Sequence, residues 1–202
     1  MTKYFLASHN PGKQKEIGEM LEPTGYYLVH SEEVALPNIA ETGETFIENA
    51  LIKARAGATH TQLPTLADDS GLIVPSLKGA PGVRSARYAG EHASNSENIA
   101  KLLQALSHYP DSAPERTAYF YCVMVFLTRP SDPMPIIAQG HWMGRIATAP
   151  QGDSGFGYDP IFITASGKTA AQLSADEKHA QSHRGQALSA LMAQLKQLNP
   201  SL

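Results

Sequence analysis

The chain has 202 residues, of which 42% are hydrophobic and 17% charged, with a formal net charge of −3. That is enough to bury a core in one large domain or in two lobes sharing a sheet, and it is not the composition of a disordered chain. The acidic balance excludes the broad basic footprint of a nucleic-acid binder, and the single Cys122 excludes an intrachain disulfide framework. No apolar run approaches a membrane span and Met1-Thr2-Lys3 opens no long apolar leader, so a cytoplasmic protein with neither nucleic acid nor membrane as partner is expected.

Tyr4 to Ala7 reads as a strand, followed by the polar loop Ser8-His9-Asn10-Pro11-Gly12 and a helix from Lys13 to about Leu21. Tyr26 to Val29 then completes a strand–helix–strand pattern of the α/β class. Where a strand feeds a helix, unsatisfied N–H groups and the helix dipole favour an anion. Ser8 and Asn10 add donors, Gly12 permits close backbone approach and Lys13 brings charge, which together have the chemistry of a phosphate cradle. The same residues also suit an ordinary turn ending in a solvated lysine.

From Thr45 to about His60 the apolar positions follow helical periodicity, with Thr45 as N-cap and Glu48 three residues on. Glu41, Glu44 and Glu48 flank that cap, while Asn49 and Lys53, four apart, share a helix face that is either solvated or part of a site. Next, Leu66-Ala67-Asp68-Asp69-Ser70-Gly71-Leu72 is an apolar strand interrupted by two carboxylates. Burial and repulsion would protonate such a pair unless a cation neutralises it, and a divalent metal is the natural one. Because successive strand residues face opposite ways, both acids can aim at one point only if the chain turns, and Ser70-Gly71 is expected to supply the turn. The alternative is a hairpin corner with solvated acids.

Gly79-Ala80-Pro81-Gly82 and Gly152-Asp153-Ser154-Gly155 are loops, and Ser94…Glu97 and Ser174…Glu177 carry the capping-box spacing of two further helix starts. Thr117 to Thr128 reads as a long strand buried on both faces, and Pro135 to Ile146 as another, broken by Gly140 and Gly144. Gly155-Phe156-Gly157-Tyr158-Asp159-Pro160 is a loop whose aromatic either stacks on a flat ligand or tucks into the core. It is no dinucleotide fingerprint, since Pro160 stands at the third glycine position, and Gly167-Lys168-Thr169 is no P-loop, since Phe162 stands where the upstream glycine belongs. His179 and His183 lack the intervening glutamate of a zinc-protease helix, and no serine sits in a Gly-x-Ser-x-Gly elbow. The last helix has the stripe Leu188, Leu191, Met192, Leu195 and Leu198. It begins at Ser182-His183-Arg184-Gly185, where two cations oppose the helix dipole and can offer donors to a carbonyl or phosphate. With no internal repeat or linker, residues 1–202 are read as one domain.

In this order, six segments closely resemble the inosine triphosphate pyrophosphatase family, in its bacterial wording. They are Ala7 to Lys13, Glu41 to Ala50, Ala67 to Leu72, Gly79 to Tyr88, Gly155 to Phe162 and Ser182 to Leu188, so the match runs nearly end to end. The resemblance implies an elongated α/β fold with a long central mixed sheet flanked by helices, two lobes with a nucleotide cleft between them, and a homodimer. The implied reaction is hydrolysis of the nonstandard purine nucleotides dITP, ITP and XTP to monophosphate and pyrophosphate with Mg²⁺. Ser8, His9, Asn10, Pro11, Gly12 and Lys13 would take the triphosphate, with His9 standing where many relatives have glycine. Asp69 would be metal ligand and general base, Glu41 the second metal carboxylate with Asp68 adjacent, and Ser70 a substrate contact. Lys13 and Lys53 would stabilise the leaving group. Phe156, Gly157, Tyr158 and Asp159 would meet base and sugar, Lys178 the substrate, and His183 and Arg184 the purine edge. The competing readings are a nucleotide sensor without hydrolysis, which has little need of a buried acid pair, and a pyrophosphatase for other modified nucleotides.

Overall fold

The computed structural model describes residues 3–25 and 27–198. In chain order it contains β1 (Lys3–Leu6), α1 (Pro11–Leu21), β2 (Tyr27–Val29), α2 (Phe46–Thr61), β3 (Thr65–Ile73), α3 (Asn95–Ala105), β4 (Thr117–Leu127), β5 (Ile136–Ile146), β6 (Phe162–Ile163), α4 (Ala175–Gln181) and α5 (His183–Leu198), joined by loops and short 3₁₀ turns. The six strands form one mixed sheet in the order β2-β1-β3-β4-β5-β6, with β1 parallel to β2 and β3, and β6 antiparallel to β5. This is the expected α/β class. Tyr26, the first residue of the expected second strand, lies outside the described residues.

Local chemistry sets the helix starts. At α2 the Glu48 amide donates to Thr45 Oγ1 at 3.2 Å and Glu48 Oε2 accepts from the Thr45 amide at 2.8 Å, so the expected capping box is made. Ser94 with Glu97 and Ser174 with Glu177 repeat it at α3 and α4. Helix α1 starts two residues earlier than the apolar pattern suggests, because Asn10 Oδ1 caps the Lys13 amide at 3.1 Å and Pro11 is pre-set for the first helical position.

Two strand expectations need correction. Ser70-Gly71 makes no turn: β3 runs unbroken to Ile73. β1 pairs only with the start of β3, at Thr65 and Leu66, and β4 is the neighbour of β3 on the other side; membership of the sheet overrides the local turn tendency of Ser-Gly. Likewise β5 continues through Gly140 and Gly144. A β-carbon on Gly140 would run into the backbone of His183 and Ala187, so the glycine marks the close seat of α5 rather than an interruption.

The chain divides into two compact units, Met1–Asp69 with Cys122–Gly140 and His183–Leu202, and Ser70–Tyr121 with His141–Ser182. The core of the first gathers Tyr4, Leu6, Ile17, Leu66, Met124 and Leu188, with Tyr4 edge-on to Phe126 at 5.2 Å. That of the second gathers Leu72, Leu102, Trp142, Ile146 and Phe162, the Phe162 ring lying 4.6 Å from Phe120 and 5.2 Å from Trp142. Arg116 is buried in the second unit and donates to the carbonyls of Leu106, Tyr109, Ile146 and Ala147, fastening the entry of β4 to the end of β5. Among the described residues no helix is long and apolar enough to cross a membrane.

Helix α2 rests on β1 through Gly57, where an added β-carbon would lie 2.7 Å from Phe5 Cε1 and 2.9 Å from Ala7 Cβ. Gly57→Ala gains about 1 kcal/mol of helix propensity but incurs roughly 1–3 kcal/mol of overpacking. The packing cost is expected to win, lowering the urea midpoint of the variant relative to wild type. An unchanged or higher midpoint would show that α2 can lift from β1 at little cost.

Candidate active site

The chemistry-bearing residues fall in two groups, one in each unit. In the first unit, β1 delivers the chain to the loop Ser8-His9-Asn10, which is held from several sides. The Ser8 carbonyl accepts from Ser31 Oγ at 2.7 Å and from Gln14 Nε2 at 2.6 Å, and Ser8 Oγ accepts from the Asn10 amide at 3.3 Å. His9 Nε2 lies 3.3 Å from the Pro37 carbonyl, tying the loop to the segment that leads to Glu41. The first turn of α1, with no acidic side chain in it, starts here, so the helix dipole and the Gly12 amide favour an anion, the Lys13 amide being taken by Asn10.

Beyond that loop two charge clusters meet β3. Lys13 Nζ sits 2.9 Å from Asp68 Oδ2, Arg184 Nε lies 3.8 Å from the same oxygen, and the Arg184 guanidinium also pairs with Glu16. Glu16, Arg184, Asp68 and Lys13 thus make a ladder of alternating sign with no net charge. Burial, the largest influence, pushes the Asp68 carboxyl up, but Lys13, Arg184 and Lys53 together hold it below the usual carboxylate range. The second cluster is Lys53 Nζ with Glu41 Oε1 at 2.7 Å and Asp69 Oδ1 at 3.4 Å. Two carboxylates share one ammonium, leaving one negative charge over. Here burial raises the Asp69 carboxyl, joined by Glu41 and Asp68 and opposed by Lys53 and Lys13. The Lys53 ammonium is lowered by burial, yet Asp69, Asp68 and Glu41 outweigh this and raise it.

Asp68 and Asp69 therefore do not converge through a turn: pleat alternation sends each to its own cation. Lys13 from α1 serves Asp68, and Lys53 from α2 serves Asp69. Glu41 joins Asp69 although 28 positions separate them in sequence, because Lys53 reaches both. His183 and Arg184 are buried in the first turn of α5, and the carboxylates of Glu16 and Asp68 supply the reason for a cation there. Glu16 was not singled out from sequence. Its only signal is a place one turn after Lys13 on α1.

In the second unit Ser70 follows Asp69 on β3. Asp159 organises the aromatic loop: its buried Oδ2 accepts the Phe156 amide at 2.9 Å and the Lys178 ammonium at 2.7 Å, and that ammonium stands 5.3 Å from the Phe156 ring centroid. Gly155, with φ of +78°, leaves no room for a β-carbon beside the Asp159 carboxylate. Tyr158, not Phe156, is the ring tucked into the core. It is buried and donates its hydroxyl to the Ser85 carbonyl at 2.9 Å, whereas Phe156 stays half-exposed and Gly157 beside it likewise.

Whether the second cluster, Glu41 and Asp69 around Lys53, suits a metal is tested by its donors. Glu41 Oε1 and Asp69 Oδ1 both face one point that a cation already satisfies, they are hard oxygen ligands, and a negative charge remains. Among the described residues no three His, Cys, Asp or Glu side chains cluster to hold a metal alone. Two carboxylates with the other positions left to phosphate and water is the pattern Mg²⁺ accepts, so the residues fit.

A model of the Ham1 family matches residues 4–194. The chain is 51% identical over 197 residues to a dITP/XTP pyrophosphatase of Yersinia pestis, covering 97% of this chain and 99% of that one. It is 49% identical over 198 residues to a dITP/XTP pyrophosphatase of Vibrio cholerae, covering 98% of each. A solved HAM1 protein from Coxiella burnetii superimposes with a TM-score of 0.87 at 48% identity, over 98% of this chain and 100% of that chain.

The opposite shifts of the two aspartates predict opposite stability effects in chelator at pH 7. Asp69, raised in the fold, adds stability below the unfolded carboxylate value of about 3.9 and loses it as pH rises through its folded value, so its ionised form is a burden at neutral pH. Asp68, lowered in the fold, adds stability above about 3.9 that is lost only as pH falls through its folded value. Thermal melts should show Asp69→Asn above wild type and Asp68→Asn below it. The reverse order would mean that Lys53, not Lys13, carries the dominant ion pair.

Proposed function

Because the chain belongs to the Ham1 family, we propose that it hydrolyses the nonstandard purine nucleoside triphosphates dITP, ITP and XTP to the nucleoside monophosphate and pyrophosphate, using Mg²⁺. One observation carries the reading: two carboxylates from distant parts of the chain, Glu41 and Asp69, converge on one cationic point, and the residue before Asp69 pairs with a lysine of the anion-favouring helix start. The near-full-length likeness to dITP/XTP pyrophosphatases supports the substrate class.

The Gly12 amide at the start of α1, with Ser8, Asn10 and the Lys13 ammonium, receives the phosphates, while Pro11 and His9 shape the loop around them. Glu41 and Asp69 would hold the Mg²⁺, with Asp68 close by on Lys13. When bound there, Mg²⁺ would supply positive charge against the negative charge that develops on the departing pyrophosphate. Asp69 takes the proton of the water that attacks the α-phosphorus. As the bond from the α-phosphorus to the bridging oxygen breaks, Lys13 and Lys53 steady the leaving group electrostatically. Phe156 offers a ring for stacking, Lys178 and Asp159 fix that ring's loop, and Ser70, Gly157 and Tyr158 complete the substrate contacts. His183 and Arg184 supply donors that suit the O6 acceptor of hypoxanthine and xanthine and oppose the amine of adenine. A homodimer in the cytoplasm completes the proposal, on the resemblance alone.

A panel of nucleoside triphosphates incubated with Mg²⁺ tests this directly. Monophosphate and pyrophosphate should appear from dITP, ITP and XTP well ahead of ATP, and chelation should stop them. Orthophosphate as first product, or tight binding with no product, would overturn the reading in favour of a phosphatase or a sensor. In the same assay Asp69→Asn should keep its fold while turnover drops at least about a hundredfold, as loss of a general base requires. Phe156→Ala should lower kcat/KM for ITP and ATP by one common factor of about 5–150, equivalent to roughly 1–3 kcal/mol, since stacking does not read the base edge. A factor confined to ITP would move base discrimination into the aromatic loop.

A further inference from the structure

Glu41 is carried by an irregular segment between β2 and α2, and a carboxylate on a loop is only as well placed as what holds the loop. The fastening lies two residues later. The Gly43 amide donates to Asn49 Oδ1 at 2.8 Å, and the Glu44 and Thr45 amides donate to Glu48 Oε2 at 2.9 and 2.8 Å. The fit is close: a β-carbon on Gly43 would stand 2.6 Å from Glu48 Cβ and 2.8 Å from Asn49 Oδ1. Glu48 is explained by the capping box. Asn49 is not, since the cap is complete without it.

Asn49 is fully buried, and its Nδ2 has no hydrogen-bond partner among the described residues. A buried amide half of whose polar capacity is unmet costs stability that a packed apolar side chain would not. What the asparagine supplies is therefore the one bond it makes, to Gly43. One turn further along the same face of α2, Lys53 holds the Glu41 carboxylate at 2.7 Å. Asn49 and Lys53 thus grip a three-residue span of the loop from a single rigid helix, the former by the backbone of Gly43 and the latter by the side chain of Glu41.

We propose that Asn49 is a positioning residue that sets Glu41 for cation binding, through the Asn49 Oδ1 to Gly43 N–H bond. This rests on the reading of Glu41 as a metal carboxylate. The test is Mn²⁺ binding to the nucleotide-free enzyme, read from the paramagnetic resonance signal of free Mn²⁺, for wild type, Asn49→Ala, Gly43→Ala and Glu41→Gln. Asn49→Ala is expected to weaken Mn²⁺ binding about 10–100-fold, the usual consequence of losing a group that orients a metal ligand. The Mg²⁺ concentration for half-maximal activity should rise by the same factor, with KM for ITP at saturating Mg²⁺ little changed. Gly43→Ala, which disturbs the same bond from the other side, should act alike and stands in if Asn49→Ala does not fold. A merely structural role would lower the melting temperature without moving Mn²⁺ binding. Binding within twofold of wild type in the folded variant overturns the proposal. Wild-type binding in Glu41→Gln would instead remove the metal role of Glu41, and this inference with it, whereas loss in Glu41→Gln alone defeats only the role of Asn49.

Discussion

Two carboxylates at successive positions of a buried strand cannot both stay ionised on their own, and much of the first unit is arranged around that constraint. Asp68 and Asp69 point to opposite sides of β3, so each needs its own cation, and three helices supply them: α1 with Lys13, α2 with Lys53 and α5 with Arg184. The position of each helix is thereby tied to the charge it brings. Gly57 lets α2 lie against β1, and Gly140 lets the start of α5 lie against β5.

The two clusters differ in their remaining charge, and with it in what they are suited to do. Glu16, Arg184, Asp68 and Lys13 balance, and the cations among them hold the Asp68 carboxylate below its usual range. Glu41, Asp69 and Lys53 leave a negative charge, which suits a site that takes a further cation, and without one burial pushes Asp69 up. Adjacent residues thus play different parts because their neighbours differ, not because their chemistry does. Asp159 repeats the principle in the second unit, where one buried carboxylate oxygen sets both a backbone amide and an ammonium and so fixes the half-exposed Phe156 ring.

The sequence by itself determined the α/β class, the three capping boxes, the long buried strand and the anion-favouring start of α1, because each is encoded within a few neighbouring residues: a side chain three positions from its amide, or an apolar period of two or about four. It also singled out Asp68-Asp69, since like charges inside an apolar run are anomalous wherever they occur. What it could not decide was where those charges would go. Ser70-Gly71 reads locally as a turn and became strand, because the place of β3 beside β4 in the sheet outweighs a dipeptide's preference. Only the tertiary structure brought Glu41 to Asp69, seated Glu16 on Arg184, gave Asn49 its bond to Gly43 and chose Tyr158 over Phe156 for the core. Each of these depends on side chains meeting across the packing of separate elements. Spacing along the chain does not record such meetings, because the electrostatic and steric terms that decide them act through space.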